Sequence, residues 1–379
     1  MESIEFKLTP AQGAGFVGRK EIIGEIVKEL GNTRNNTGFC VYGRRRIGKT
    51  SILMQAKKEL GKNKGVVVAY LSLYDVADLT AQTLTQELLT AIMKAYQEKK
   101  LLPIETKIRN LLKAPAETAV ELLKNAKIQA TVLDQVKILL EFREKNDKNY
   151  SEHIRNVFNT GEVLANATGT KFVLMLDEFP EILKVENGLQ LVKILRTQCE
   201  KQKKTALVIS GSLRKTLQAV ALSEGSPFYK QLVPKHVPPF SMEETKDFLE
   251  RYAGKTGDVK ILYALTGGNP FYLQYIGRST KYALSVQDAV DKFIEQEGSV
   301  FFKEEFEKLT DKEKLIAETL SKGKKSLTQM AKETNMPTTT VGRYLPTLIE
   351  EEIIEKESRG SYALQDNLYA YWLKQKQAN

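Results

Sequence analysis

A loop bounded by two glycines, Gly43-Arg44-Arg45-Arg46-Ile47-Gly48, runs directly into Lys49 and Thr50. Phe39-Cys40-Val41-Tyr42 before it reads as a short buried strand, and the residues from Lys49 to about Leu60 read as a helix. The spacing is G-x-x-x-x-G-K-[ST] in its required strand-to-helix context, which makes the match a strong one. The physics is local. A tight glycine-bounded loop turns successive backbone N–H groups inward, and the following helix adds the positive end of its dipole. The loop is therefore an anion cradle, and a polyphosphate is the anion it fits. Lys49 is expected to neutralise β- and γ-phosphate oxygens, and Thr50 to offer its hydroxyl to Mg²⁺. Arg44, Arg45 and Arg46 have two readings: contact with phosphate or a neighbouring subunit, or a solvated loop face.

The surrounding pattern predicts an α/β fold with an open parallel sheet. Val66 to Leu73, Lys171 to Leu176 and Thr205 to Ile209 read as strands, and His236 to Phe240 as the last one. Helical periodicity lies between them, over Lys20 to Leu30 and Leu189 to Lys201. Lys171-Phe172-Val173-Leu174-Met175-Leu176 is almost wholly apolar, as in a strand covered on both faces, and it ends in Asp177-Glu178. That position puts two carboxylates at the carboxyl edge of the sheet, where ligands of such sheets bind. Asp177 is expected to hold Mg²⁺, mainly through water, and Glu178 to orient or deprotonate an attacking water. The plainer alternative is a helix cap at Asp177, since Phe179-Pro180 follow. Ser210-Gly211-Ser212 ends the next strand, where a hydroxyl of Ser210 could sense a γ-phosphate or simply close a turn. Arg196 or Arg214 could supply a transition-state cation, with an ordinary surface arginine as the alternative.

The chain has 379 residues, more than one domain usually holds. Residues 1–240 form the predicted α/β domain, with a strand-free helical stretch over about 76–168, part of it an insertion near 98–150. Residues 241–300 read as helical and begin with a capping box, Ser241 to Glu244. Gly267-Gly268-Asn269-Pro270 breaks two of their helices. Residues 301–379 read as three helices and a β-ribbon, a winged helix-turn-helix.

Composition excludes several function classes. Two cysteines and two histidines give no disulfide framework and no Cys/His metal site. No apolar run approaches a membrane span, and the first residues lack a signal-peptide pattern, so a cytoplasmic protein without membrane contact is expected. The net charge is +10, but Lys and Arg outnumber Asp and Glu by 25 to 17 within residues 1–150 and equal them, 13 to 13, within 300–379. The C-terminal module thus offers no excess charge to a phosphate backbone. Its third helix offers Thr338, Thr339, Arg343 and Tyr344 as base contacts, but Glu350, Glu351 and Glu352 follow, and Pro346 interrupts it. DNA and a protein partner stay open for this module, with Lys322, Lys324 and Lys325 as the local basic cluster. Lys99, Lys100, Lys107 and Arg109 are a second basic group, read as a solvated face.

Several segments occur in a telling order: Phe16-Val17-Gly18-Arg19, Tyr42 through Ser51, Leu176 through Phe179, Ser210 through Ser212, Gly267 through Pro270, and Ser361 through Asp366 with Tyr371-Trp372. In this the chain resembles the archaeal-type ATPase family, a branch of P-loop NTPases related to AAA+ and STAND ATPases. The resemblance covers most of the chain outside about 76–168. It implies ATP or ADP with Mg²⁺ as the ligands, bound by the whole loop from Gly43 through Thr50 and Ser51. It implies that Phe16, Val17, Gly18 and Arg19 lie against adenine, largely through backbone, and that Pro270 reaches the nucleotide from a helical lid. No lid arginine stands at that turn, which favours a switch over a processive ring motor. The expected function is an ATP-hydrolysing switch. A DNA-binding regulator with ATP as effector is the alternative, and a P-loop kinase of small molecules a third reading that Glu178 disfavours.

Overall fold

The computed structural model describes residues 10–102, 150–212, 215–253, 259–280, 285–357 and 360–378. Its contacts divide the chain into two compact units. A sheet unit holds Arg19–Gly43 and Lys49–His236, and a helical unit holds the residues up to Gly18, Arg44–Gly48 and Val237–Asn379.

In the sheet unit, α1 (Lys20–Gly31) is followed by β1 (Gly38–Gly43), α2 (Lys49–Leu60), β2 (Val66–Ser72) and α3 (Ala81–Glu98). Then come α4 (Tyr150–Thr168), β3 (Lys171–Asp177), α5 (Gly188–Lys201), β4 (Thr205–Ser212) and β5 (Leu232–His236). All strand pairs are parallel, in the order β2-β3-β4-β1-β5. The central strands β3 and β4 are buried along their whole length, which is why their sequences are continuous apolar runs rather than alternating ones. Thr80 caps α3 through a reciprocal bond with Thr83. Phe172 of β3 stacks on Tyr96 of α3 at 5.8 Å, and Gly161 of α4 leaves room for that phenyl ring, which an added Cβ would meet at 2.3 Å.

The last strand differs from the sequence expectation. It spans Leu232–His236 and ends where His236 to Phe240 was expected to begin. Pro238 and Pro239 have no N–H to give a ladder. Pro234 is tolerated inside β5 because the strand lies at the sheet edge. The apolar Val237 and Phe240 that suggested a strand are nevertheless buried, at 1% and 6% exposure. Of the helical stretch over 76–168, residues 103–149 lie outside the described residues, with Lys107 and Arg109. So does Arg214.

The helical unit runs α6 (Met242–Ala253), α7 (Val259–Thr266), α8 (Pro270–Thr280), α9 (Val286–Phe293), α10 (Ser299–Glu307) and α11 (Asp311–Ser321). It continues with β6 (Lys325–Ser326), α12 (Leu327–Thr334), α13 (Thr338–Glu350), β7 (Ile354–Lys356), β8 (Ser361–Leu364) and α14 (Asn367–Ala378). β6, β8 and β7 form a small antiparallel sheet in that order. α13 continues through Pro346 without ending. One hydrophobic core joins Phe248 and Tyr272 to Phe302, Leu345 and Trp372, so the helices before and after Leu309 share it. The closing helix α14 is started by Asp366, whose Oδ1 accepts the Leu368 and Tyr369 N–H groups at 2.9 and 3.1 Å.

Among the described residues no helix is long and apolar enough to cross a membrane. No group of three His, Cys, Asp or Glu side chains could hold a metal ion among them. Cys40 and Cys199 are free, and burial pushes both thiols up to about 12.

Candidate nucleotide site

The strand order places β4 between the loop-bearing β1 and the acidic-ended β3. The carboxyl ends of these three strands therefore bring their polar residues together. Lys49, 4% exposed at the start of α2, donates from Nζ to Gly43 O at 3.3 Å and to Ser212 Oγ at 3.2 Å. Thr50 Oγ1 donates to Asp177 Oδ2 at 2.6 Å. Ser210 Oγ donates to Asp177 Oδ1, which also accepts the Glu178 N–H at 3.1 Å. Lys49 with Ser212, and Thr50 and Ser210 with Asp177, are thus two bonded polar groups at this edge, buried except for the half-buried Thr50.

A residue missed in the sequence completes the Asp177 group. Tyr70 of β2 donates its phenol to Asp177 Oδ2 at 2.9 Å. In the β2–β3 register Ser72 stands beside Asp177 and Tyr70 beside Met175, so Tyr70 shares the face of Ser72 one pleat back. Burial, together with the Asp177 charge it bonds to, holds the Tyr70 phenol well above its ordinary pKa, so it remains a donor.

Glu178 adopts left-handed backbone, φ 48° and ψ 45°, and is half-buried. That conformation is uncommon for a residue with a side chain, and such strain concentrates at functional positions. Asp177 does not cap the 3-10 turn Phe179–Lys184; the capping position is Glu178, and it makes no side-chain cap bond. The alternative reading of Asp177 as a helix cap therefore does not describe this turn.

The loop between Gly43 and Lys49 turns through left-handed backbone at Arg46 and Gly48, φ 61° and 96°, a geometry that gathers N–H groups on one side. Ile47 is buried at 1% and anchors it. The arginines differ: Arg45 is exposed, while Arg44 and Arg46 are half-buried. Arg44 donates from Nη1 to Gln365 O at 2.9 Å and from Nη2 to Glu355 at 2.7 Å. The Arg45 N–H donates to Glu352 Oε2 at 3.3 Å. The Arg46 guanidinium lies over Phe271 and Phe301, 4.6 and 4.4 Å from the ring centroids. Burial raises the carboxyls of Glu305 and Asp366 nearby, and these arginines pull them back, Arg46 and Arg45 acting on Glu305 and Arg44 on Asp366.

The remaining expected residues fall as follows. Phe16 is half-buried, and Val17 sits in the core of the helical unit. Gly18 takes left-handed backbone, φ 68°, which favours glycine, and a Cβ there would meet the end of the Glu244 side chain. Arg19 is buried in left-handed backbone ahead of α1. Pro270 opens α8, and its Cγ is 4.0 Å from a Cβ built on Gly48. Ser51 is half-buried in the first turn of α2. Arg196 pairs with Glu200 at 2.8 Å one turn along α5, the arrangement of a surface ion pair.

A glycine-bounded loop on a parallel strand, a lysine and a threonine at the next helix, and an Asp-Glu pair two strands away define a P-loop NTPase fold of the AAA+-like kind. The family described as an ATPase domain predominantly from Archaea matches residues 16–276, and the chain belongs to it. A protein of Methanocaldococcus jannaschii, itself uncharacterised, is 25% identical over 221 residues, 53% of this chain and 48% of that one. The chain thus spans about half the length of that relative. Among solved structures, a Walker-type ATPase of Pyrococcus abyssi superposes with TM-score 0.71 at 17% identity, covering 97% of this chain and 99% of that one. The ORC2 protein of Aeropyrum pernix, solved in ADPNP–ADP complexes, gives 0.53 at 15% identity with 95% of each chain covered. These two likenesses speak for the fold.

Proposed function

We propose that the chain is a Mg²⁺-dependent, ATP-hydrolysing switch. The observation that carries hydrolysis is the Thr50–Asp177 bond at 2.6 Å with Glu178 beside it. Thr50 Oγ1, with its hydrogen directed at Asp177, keeps its lone pairs for a cation, and hard oxygen donors of this kind suit Mg²⁺. Thr50 and Asp177 would hold the ion, which would supply charge neutralisation between the β- and γ-phosphates.

This chain's residues do the rest. The loop from Gly43 through Thr50, with Ser51, binds the phosphates through backbone N–H groups and the start of α2. Lys49 moves from the neutral oxygens of Gly43 and Ser212 to the phosphate oxygens, a stronger charge-assisted contact. Glu178 accepts the proton of the attacking water, and Ser210 reports on the γ-phosphate from the neighbouring strand. Phe16, Val17, Gly18 and Arg19 take the adenine, and Pro270 closes on the nucleotide. Hydrolysis is slow without a partner, because the sequence offers no clear arginine finger: Arg196 forms a surface pair with Glu200, and Arg214 lies outside the described residues.

The switch reading rests on the loop arginines. We read α6–α10 as a helical lid and α11–α14 with β6–β8 as a winged helix, giving domains 1–240, 241–300 and 301–379. Arg44 and Arg45 of the phosphate loop bond to Glu355, Gln365 and Glu352 around the β7–β8 hairpin. A γ-phosphate competes for the same loop, so nucleotide state alters the hold on the hairpin. ATP binding by Lys49→Ala tests the site: a loss of two orders of magnitude or more is expected for removal of a charge-assisted phosphate contact. Binding as tight as wild type would sink the assignment.

A further inference from the structure

Asp177 is 1% exposed, and its carboxylate accepts four hydrogen bonds. Thr50 and Tyr70 donate to Oδ2, at 2.6 and 2.9 Å. Ser210 Oγ and the Glu178 N–H donate to Oδ1. A carboxylate offers about four lone-pair sites, so all of them are in use. A magnesium ion needs one of those sites, whether it takes the carboxylate oxygen directly or through one of its waters. One donor must therefore leave when the metal arrives.

The geometry selects which. Thr50 can keep its bond, since its hydrogen serves Asp177 while its lone pairs stay available to an ion. The Glu178 N–H belongs to the backbone. Ser210 bonds to Oδ1, the oxygen that Thr50 does not use. Tyr70 shares Oδ2 with Thr50, the other residue that would hold the metal, and its side chain is half-buried at the carboxyl end of β2.

We propose that Tyr70 is a positioning residue that competes with magnesium for Asp177. Its phenol holds the carboxylate in the metal-free site and gives way when the metal binds, so Tyr70 sets the Mg²⁺ concentration at which the site loads. The inference rests on the Mg²⁺–nucleotide reading above and adds to it a residue that weakens, rather than strengthens, metal binding.

The test uses the full chain and two titrations, neither of which reads turnover. A fluorescent ATP analogue is titrated in EDTA, and Mg²⁺ is then titrated into the complex with a non-hydrolysable analogue. Tyr70→Phe keeps the ring and removes one donor. It is expected to leave the EDTA affinity unchanged and to lower the half-saturating Mg²⁺ on the order of tenfold, the scale of changes around metal ligands. Tyr70→Leu is expected to act in the same direction. Tyr74→Phe, at a side chain 75% exposed, is expected to change neither. A half-saturating Mg²⁺ that stays the same or rises in both Tyr70 variants overturns the competition alone. Wild type that binds no nucleotide, with or without Mg²⁺, overturns the nucleotide reading and this inference with it.

Discussion

Arg44 Nη2 lies 2.7 Å from Glu355 Oε2, so a residue of the phosphate loop is paired with a residue of β7. Both side chains are more than a third exposed, 35% and 41%, and the pair is correspondingly weak. A weak pair is what a switch needs, because an arriving polyphosphate can outcompete it. Glu355→Gln removes the competing charge and leaves Arg44 to the nucleotide. The expected outcome is ATP binding tighter by roughly two- to fivefold at low salt, with the gain shrinking at high salt. Equal affinity in the two proteins at low salt would sink the coupling.

The turn before α8 packs directly against the Phe240 backbone. Gly268 has φ 71°, and a Cβ there would lie 2.2 Å from Phe240 O, while the Gly268 carbonyl accepts the Phe240 N–H at 2.9 Å. Gly268→Ala therefore meets both an unfavourable conformation and a backbone clash. A loss of about 2–3 kcal/mol in urea unfolding is expected. Wild-type stability would mean that the turn is not built as described.

Lys171 begins β3 with its side chain fully buried, donating to Asn32 O at 2.8 Å and Glu29 O at 3.3 Å. Burial lowers its pKa to about 8 from an ordinary 10.5. Between those values the unfolded chain binds more protons than the folded one, so this group's contribution to stability rises with pH across that window and is least favourable below it. Wild type compared with Lys171→Met by chemical denaturation should gain on the variant from pH 8 to pH 10. A difference that is flat or falls with pH contradicts the assignment.

The same charge reasoning bears on DNA. Lys324 pairs with Glu357 at 2.5 Å and Lys325 with Glu333 at 2.7 Å, so two lysines of the local basic cluster already face acids. Thr338, Thr339 and Arg343 remain exposed on α13. Duplex retention is expected to be weak, strongly salt-sensitive, and changed less than about twofold by Arg343→Ala. Tight retention at physiological salt that Arg343→Ala abolishes would favour the DNA-binding regulator instead.

Much of the site was legible because its signals are local. The loop from Gly43 to Thr50 and the Asp177-Glu178 strand end each carry their chemistry within a few residues. The buried strands showed as apolar runs. What was not legible depends on partners far along the chain. Tyr70 acquires its role only when β2 pairs with β3, more than a hundred residues later. Arg44 reads as a loop arginine until Glu355 and Gln365, over three hundred residues on, come to meet it. The misplaced last strand has a different cause. Val237 and Phe240 are buried, but Phe240 joins the core of the helical unit, and apolar character alone does not say which core a residue joins.

The central claim is that Asp177-Glu178 turns nucleotide binding into hydrolysis. The most direct measurement is single-turnover hydrolysis of ATP by Glu178→Gln beside wild type, with binding measured on the same samples. The account predicts unchanged ATP affinity and a rate lower by about two to four orders of magnitude, the usual scale of a general base. Hydrolysis at the wild-type rate, with ATP bound, would contradict it.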